Sequence, residues 1–268
     1  MTDDDLWPLF KDLRFAGPRT HPVHGPCFVA EGRILVEDLL AWGRAERVRV
    51  VAVLAETGLA PSVVPLLPAG AVLLTAARAD LEALAGFPFH RGLLAAAVVP
   101  PQPDQDRLRG CRRLLALPAV ADAENLGQLL RTAAALGLDG VLLGPGPDPF
   151  SRRTIRVSMG TAWKLPIWRR EDVWGALEDW RAAAGERGEI AGAALAARSV
   201  PVQAWNPPPR TALVLGPEGP GLGADALARC DRIVRIPMAD GVDSLNVAAA
   251  GAILMHRLVS GTGDGSRP

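Results

Sequence analysis

Apolar residues recur along this chain with two periods, the short continuous runs of strands and the three-to-four-residue spacing of amphipathic helices. Residues 28–29 read as a short strand, and residues 32–43 carry Ile34, Leu35, Leu39 and Leu40 at helical spacing. A β-branched strand is predicted over 47–54, then VVPLL as strand or helix, AVLLTA as strand, LEALAG as a short helix, and a strand over 93–99. Residues 27–100 therefore form a small α/β domain. The polar, proline-bearing stretch PQPDQDRLRGCRR, residues 101–113, reads as a linker. A second pattern opens with a buried-type strand over 114–120 and a helix over 125–136 with Leu126, Leu129, Leu130 and Ala133 on its apolar side. Strands at 140–143, 190–195, 212–215 and 233–236 follow, with an amphipathic helix over 171–184 and a long apolar helix from 244 to 258. Strands alternating with helices imply a parallel sheet over residues 114–260. Residues 1–26 mix acids, prolines and histidines and read as an irregular or partly ordered lead-in. The tail 261–268, rich in glycine and polar residues, reads as disordered.

Composition narrows the class. The 268 residues suffice for two modest domains, and no apolar run reaches the length of a membrane span. The acidic start MTDDDLWPLFKD has no signal-peptide core, so a cytoplasmic location is expected. Cys27, Cys111 and Cys230 are scattered and odd in number, which reads as reduced core or surface thiols, and the four dispersed histidines offer no metal site. The formal net charge of zero argues against non-specific coating of nucleic acid but leaves room for a local basic face. Arg152, Arg153 and Arg156 make such a face, compact and suited to phosphates. Trp174 and Trp180 on the 171–184 helix read as core or interface anchors.

Candidate chemistry concentrates in residues 211–258. Two predicted strands there end in loops richer than a connection requires. The first, GPEGPGLG, holds four glycines, two prolines and Glu218. The second, PMADGVDSLN, leads into the long helix with Ser244 and Asn246 at its start, where free N–H groups and a positive dipole end meet a polar ligand. Two such loops at the carboxyl ends of adjacent strands would make a ligand crevice.

LVLGPEGPGLG followed by IPMADGVDSLNVAAAGAILMHRL resembles the second and third motifs of the SpoU/TrmH-type RNA ribose 2′-O-methyltransferases of the SPOUT superfamily. The first motif is matched upstream by ENLGQLLRTAAALGLDGVLL, with Asn125, Gly127 and Arg131. SRRTIRVSMG resembles a further family segment. FVAEGRILVEDLL, with His90, Arg91 and Gly92, resembles the substrate-binding domain that precedes the catalytic one in many members. The resemblance implies a C-terminal SPOUT domain with a trefoil knot, and a homodimer paired through knot-domain helices. It implies S-adenosyl-L-methionine bound bent at Leu215, Gly216, Ile236, Met238, Ser244 and Leu245, with Gly216 admitting the cofactor to the main chain. Transfer would be to a ribose 2′-hydroxyl of ribosomal or transfer RNA. The resemblance implies that Arg131 assists removal of the hydroxyl proton; because a guanidinium stays protonated, orienting a substrate phosphate and stabilising the developing alkoxide is the alternative its chemistry favours. Asn125, Glu218, Ser244 and Asn246 would fix Arg131, the ribose and the loops. Arg152, Arg153 and Arg156 would contact RNA.

The chain departs from the usual pattern at Ala123, Pro217, Gly223 and Ala248, none of which removes those groups. A catalytically silent RNA-binding protein on the same scaffold is the alternative, and keeping Asn125, Arg131, Glu218 and Asn246 together argues against it. A nicotinamide-dependent oxidoreductase is disfavoured because GPGPDP is too proline-rich for a dinucleotide loop.

Overall fold

Twelve strands and nine α-helices alternate through residues 3–14, 17–87, 92–183 and 188–261, which the computed structural model describes. In chain order they are β1 (Arg19–His21), β2 (Gly25–Glu31), α1 (Arg33–Arg44), β3 (Val50–Glu56), α2 (Ala60–Val63), β4 (Val72–Ala76), α3 (Arg78–Ala85) and β5 (Leu93–Val98). Next come α4 (Gln105–Gly110), β6 (Arg113–Leu117), α5 (Ala123–Ala135), β7 (Gly140–Leu143), α6 (Arg152–Val157), β8 (Ile167–Arg169) and α7 (Val173–Ala182). The chain ends with β9 (Glu189–Ala193), β10 (Val200–Pro201), β11 (Thr211–Val214), α8 (Ala224–Ala228), β12 (Arg232–Arg235) and α9 (Val247–Ser260). Among the described residues no helix is long and apolar enough to cross a membrane.

The chain divides into two compact units. Met1–Pro101 with Asp148–Trp163 make one, and Gln102–Pro147 with Lys164–Pro268 make the other. The first unit is built on a five-stranded sheet ordered β1-β2-β5-β3-β4, antiparallel except where β3 meets β4. Its inner strands are buried on both faces, because the period of two sends Phe28, Val53 and Ala95 into one core and Val29, Leu54 and Leu94 into the other.

Three expectations are corrected here. Residues 1–26 are not merely irregular: Asp3–Phe10 is a 3-10 helix whose Leu6 and Leu9, three apart, are buried with Phe10 and Leu13 against the sheet. The acids and Pro8 hide that three-residue spacing in the sequence. The segment containing α6 groups with this unit rather than with the second, because Ile155 and Trp163 are buried in its core, Trp163 stacked 5.5 Å from Phe28. The presumed linker holds α4, capped by the Asp104 carboxylate, which accepts from the Arg107 N–H at 2.7 Å, and its Leu108 is buried in the second unit's core. His90 and Arg91, and the tail beyond residue 261, lie outside the described residues.

The second unit holds a seven-stranded, wholly parallel sheet ordered β10-β12-β9-β11-β6-β7-β8. The order reverses direction at β6, where β7 and β8 lie to one side and β11 to the other, and ligands gather outside strand ends at such a switch point. β11 and β12 are not neighbours as expected; β9 lies between them. Trp180 is fully buried and donates to the Cys111 carbonyl, and Trp174 packs partly buried against the same core. All three cysteines are free and buried. Desolvation lifts the thiols of Cys27 and Cys230 to about 11 and that of Cys111 to about 12, so none is a ready nucleophile.

Candidate active site

Three loops meet beyond the carboxyl ends of β6, β11 and β12, and each contributes one polar side chain to a single chain of hydrogen bonds. Asp122, not Asn125, caps α5, its carboxylate accepting from the Glu124 N–H at 2.9 Å. That leaves Asn125 in the first helical turn, 9% exposed, with its amide free to reach outward. Its Nδ2 donates to Glu218 Oε1 at 2.8 Å, and its Oδ1 accepts from Asn246 Nδ2 at 2.9 Å. Asn246 is the cap of α9, and its Oδ1 accepts from the N–H groups of Ala248 (2.8 Å) and Ala249 (3.3 Å). The helix thus fixes the amide orientation of Asn246, which fixes that of Asn125, which aims a donor at the carboxylate.

Glu218 is the acceptor at the end of this chain. Desolvation works against its ionised form, yet the hydrogen bonds it accepts outweigh that cost and hold its pKa below the ordinary 4.5. They come from its own N–H, the Asn125 side chain and the N–H groups of Ala121 and Asp122. Glu218 Oε2 lies 3.2 Å from the Ala121 nitrogen.

Beside the chain opens a cavity of about 570 Å³, within the usual range for a small-molecule site. Asn125, Leu215, Gly216, Glu218, Ile236, Met238, Ser244, Leu245 and Asn246 all line it. The backbone groups of Met238, Ser244 and Leu245 make no hydrogen bond among the described residues. A third wall was not anticipated. Ala193, Ala194 and Leu195, at the end of β9, close the cavity between the other two loops. Only the strand order exposes that role. Asp243 and Arg235 also line the cavity, and Arg235 is held by the carbonyl and hydroxyl of Ser199.

Gly216 must be glycine for a reason within the loop itself. A Cβ there would lie 2.5 Å from the Gly221 carbonyl carbon and 2.6 Å from the Leu222 nitrogen. Its missing side chain lets the loop fold back on itself, through Gly219 and Gly221 at positive φ, before any ligand approaches.

Arg131 does not join the cluster. It is exposed, lies outside the cavity wall and has no ion pair or hydrogen-bond partner among the described residues. Six residues beyond Asn125 on one helix, it points roughly 120° away around the axis. Arg152, Arg153 and Arg156 belong to the other unit. Arg152 lies 3.6 Å from Glu31 and stacks over Phe87 at 4.2 Å, and burial lowers its pKa, so it is largely committed to the fold. Arg153 and Arg156 are exposed. Among the described residues no group of three or more His, Cys, Asp or Glu could hold a metal ion.

Residues 112–256 match the model of the SpoU rRNA methylase family, more than half of the chain. The chain belongs to that family. A relative from Mycobacterium tuberculosis, named an uncharacterized tRNA/rRNA methyltransferase, is 35% identical over 95% of this chain and 88% of its own length. A 23S rRNA (guanosine-2′-O-)-methyltransferase of Acinetobacter baylyi is 33% identical over 70% of this chain and 78% of its own. Among solved structures, an AdoMet-bound rRNA methyltransferase from Sinorhizobium meliloti superposes with a TM-score of 0.71 at 27% identity, covering 87% of this chain and 86% of that one. A TrmH-family protein from Porphyromonas gingivalis reaches 0.77 at 25% identity over 96% and 98% of the two chains. This SpoU chain is therefore an RNA methyltransferase with S-adenosylmethionine as methyl donor, on the parallel-sheet α/β fold of its family. The cavity fits that donor, with Ile236, Met238 and Leu245 as apolar walls for a ring and unbonded backbone groups for its polar edges.

Proposed function

We propose that this site methylates a ribose 2′-hydroxyl in ribosomal or transfer RNA. The observation that carries the reading is the Asn246–Asn125–Glu218 chain beside a cofactor-sized cavity built by loops from separate strand ends. S-adenosylmethionine, when bound, supplies an electrophilic methyl group on its sulfonium. Leu215, Gly216, Ile236, Met238, Ser244 and Leu245 hold it, and the loop backbones orient it. Glu218 and Asn125 keep the β6 and β11 loops in register, and Asn246 ties both to the start of α9. Ser244 stands at the cavity edge, where its hydroxyl can meet the ribose.

Arg131 acts from the substrate side. A guanidinium stays protonated, so its role is to grip a phosphate and stabilise the alkoxide as the hydroxyl proton leaves. Arg153 and Arg156 bind the RNA backbone, and the first unit holds the RNA. The knotted path of the segment around 211–258, a homodimeric active form and a cytoplasmic location complete the reading. Methyl transfer from a sulfonium needs no metal.

The test is site-resolved mapping of ribose methylation in total RNA with and without the gene, alongside titration of the purified chain with S-adenosylmethionine. One 2′-O-methyl mark that disappears with the gene is the expected result. Cofactor binding without any lost mark would favour the silent RNA-binding alternative.

A further inference from the structure

The first unit carries a second concavity, a groove of about 330 Å³ between the C-terminal end of α1, the approach to β3 and the exit of β5. Its walls include Pro68, Val99, Pro100 and Pro101, and its charged members are Glu46, Arg47 and Arg49. Burial alternates from Arg47 to Val50, with Val48 and Val50 inside and both arginines exposed, so the chain's own core turns the two guanidinia outward into one groove. Arg47 is propped over the Trp42 ring at 5.1 Å, which orders the side chain without using its N–H donors. Neither arginine has an ion pair or side-chain hydrogen bond among the described residues. In the same turn Arg44 donates to the Leu66 carbonyl and is taken up by the fold. The Arg49 charge is felt locally: the pKa of His24 lies below its ordinary value, first through burial and then through Arg49.

We infer that this groove is a binding site for the ribose–phosphate backbone of the RNA, with Arg47 and Arg49 each gripping a phosphate and the proline-lined floor carrying the sugars. The inference rests on the reading of the protein as an RNA methyltransferase. The chemistry selects this occupant: guanidinia with free donors match phosphate oxygens, and rigid apolar proline faces suit sugars. In a chain of zero net charge, two arginines in one groove against the single carboxylate of Glu46, with no ion pair to either among the described residues, are a placed feature rather than part of a general basic coat.

The experiment compares the full-length wild type with an R47A/R49A double variant and an R47K/R49K variant. Affinity for unmodified ribosomal and transfer RNA transcripts is measured over a range of salt, with S-adenosylmethionine affinity and melting temperature as controls. The alanine pair should weaken RNA binding about tenfold near 0.1 M salt and flatten the slope of log K against log salt by roughly 1.4, two phosphates at about 0.7 each. Cofactor affinity and melting temperature should not move, and the KM for RNA should rise with kcat unchanged. The lysine pair should keep the salt slope and lose part of the affinity. Wild-type RNA binding that the alanine pair fully retains overturns the groove alone. So would a polyglutamate peptide whose binding needs the arginines when RNA binding does not, since that assigns the groove to an acidic protein. Absence of wild-type RNA binding overturns the functional reading and the groove with it.

Discussion

Glu218 ties the β6 and β11 loops together most strongly when ionised, so its titration should be visible in stability. Its folded pKa is depressed below 4.5. The stabilisation is therefore fully present above the unfolded pKa and lost as pH falls through the folded one. Glu218→Gln removes the charge and turns an amide N–H₂ toward the Ala121 and Asp122 N–H donors. The variant should melt below the wild type at neutral pH, and the gap should shrink as pH drops below about 4.5. Thermal unfolding of both from pH 7 to 3 checks this; a gap constant with pH would remove the carboxylate charge from the account. Arg131 makes the opposite case, a side chain with no ion pair or hydrogen bond among the described residues. Arg131→Ala should keep S-adenosylmethionine affinity and melting temperature, and lose single-turnover methyl transfer about a hundredfold or more. Arg131→Lys should recover little, because an ammonium lacks the two-pronged phosphate contact. Near-normal transfer by the alanine variant would refute the role.

At the scale of elements, the site depends on how closely α9 approaches α5. A Cβ on Gly251 would meet Leu129 Cδ2 at 2.5 Å and Leu215 Cδ1 at 3.0 Å, so the glycine lets the helix carrying Asn246 lie against the helix carrying Asn125. Gly251→Val should cost about 1–3 kcal/mol by overpacking. Leu129→Ala in the same chain should recover part of it, and denaturant titration of the double-mutant cycle measures the coupling. Additive losses would mean that the two side chains do not compete for one space. The sequence exposes some of these elements well. Strands such as 140–143, buried on both faces, stand out as apolar runs, and all of Leu126, Leu129, Leu130 and Ala133 proved buried. Other features are invisible to periodicity. Strand order is a long-range property, so β9 as the third wall of the cavity could not be read from residues 190–195. α4 is too short and too polar to show a stripe, and the loop glycines do not announce that Gly216 packs against Gly221.

For the molecule as a whole, motif spacing located the cavity residues, Asn125, Glu218 and Asn246 among them, but not the hydrogen bonds that join those three across as many as 121 residues of sequence. Chain continuity likewise misassigned residues 148–163, whose Trp163 answers to Phe28. Oligomeric state belongs to this scale too. In the small-residue run that opens α9, Ala248 and Gly251 are buried within the chain. What α9 leaves outside is the stripe Ala249, Ile253, His256 and Ser260, spaced as one helix face, with Ile253 41% exposed. Arg131 is also exposed, one turn beyond the buried Gly127 on α5. A homodimer that used the α9 stripe would cover an apolar side chain otherwise left in water. Wild type at micromolar concentration should therefore show twice the 28.2 kDa chain mass in light scattering. Ile253→Asp, which places a charge on the stripe without touching the cavity wall, should shift the mass toward one chain while leaving the melting of a dilute sample unchanged. A wild type that stays at one chain mass at these concentrations refutes the dimer, and a dimer indifferent to Ile253→Asp moves the interface off α9.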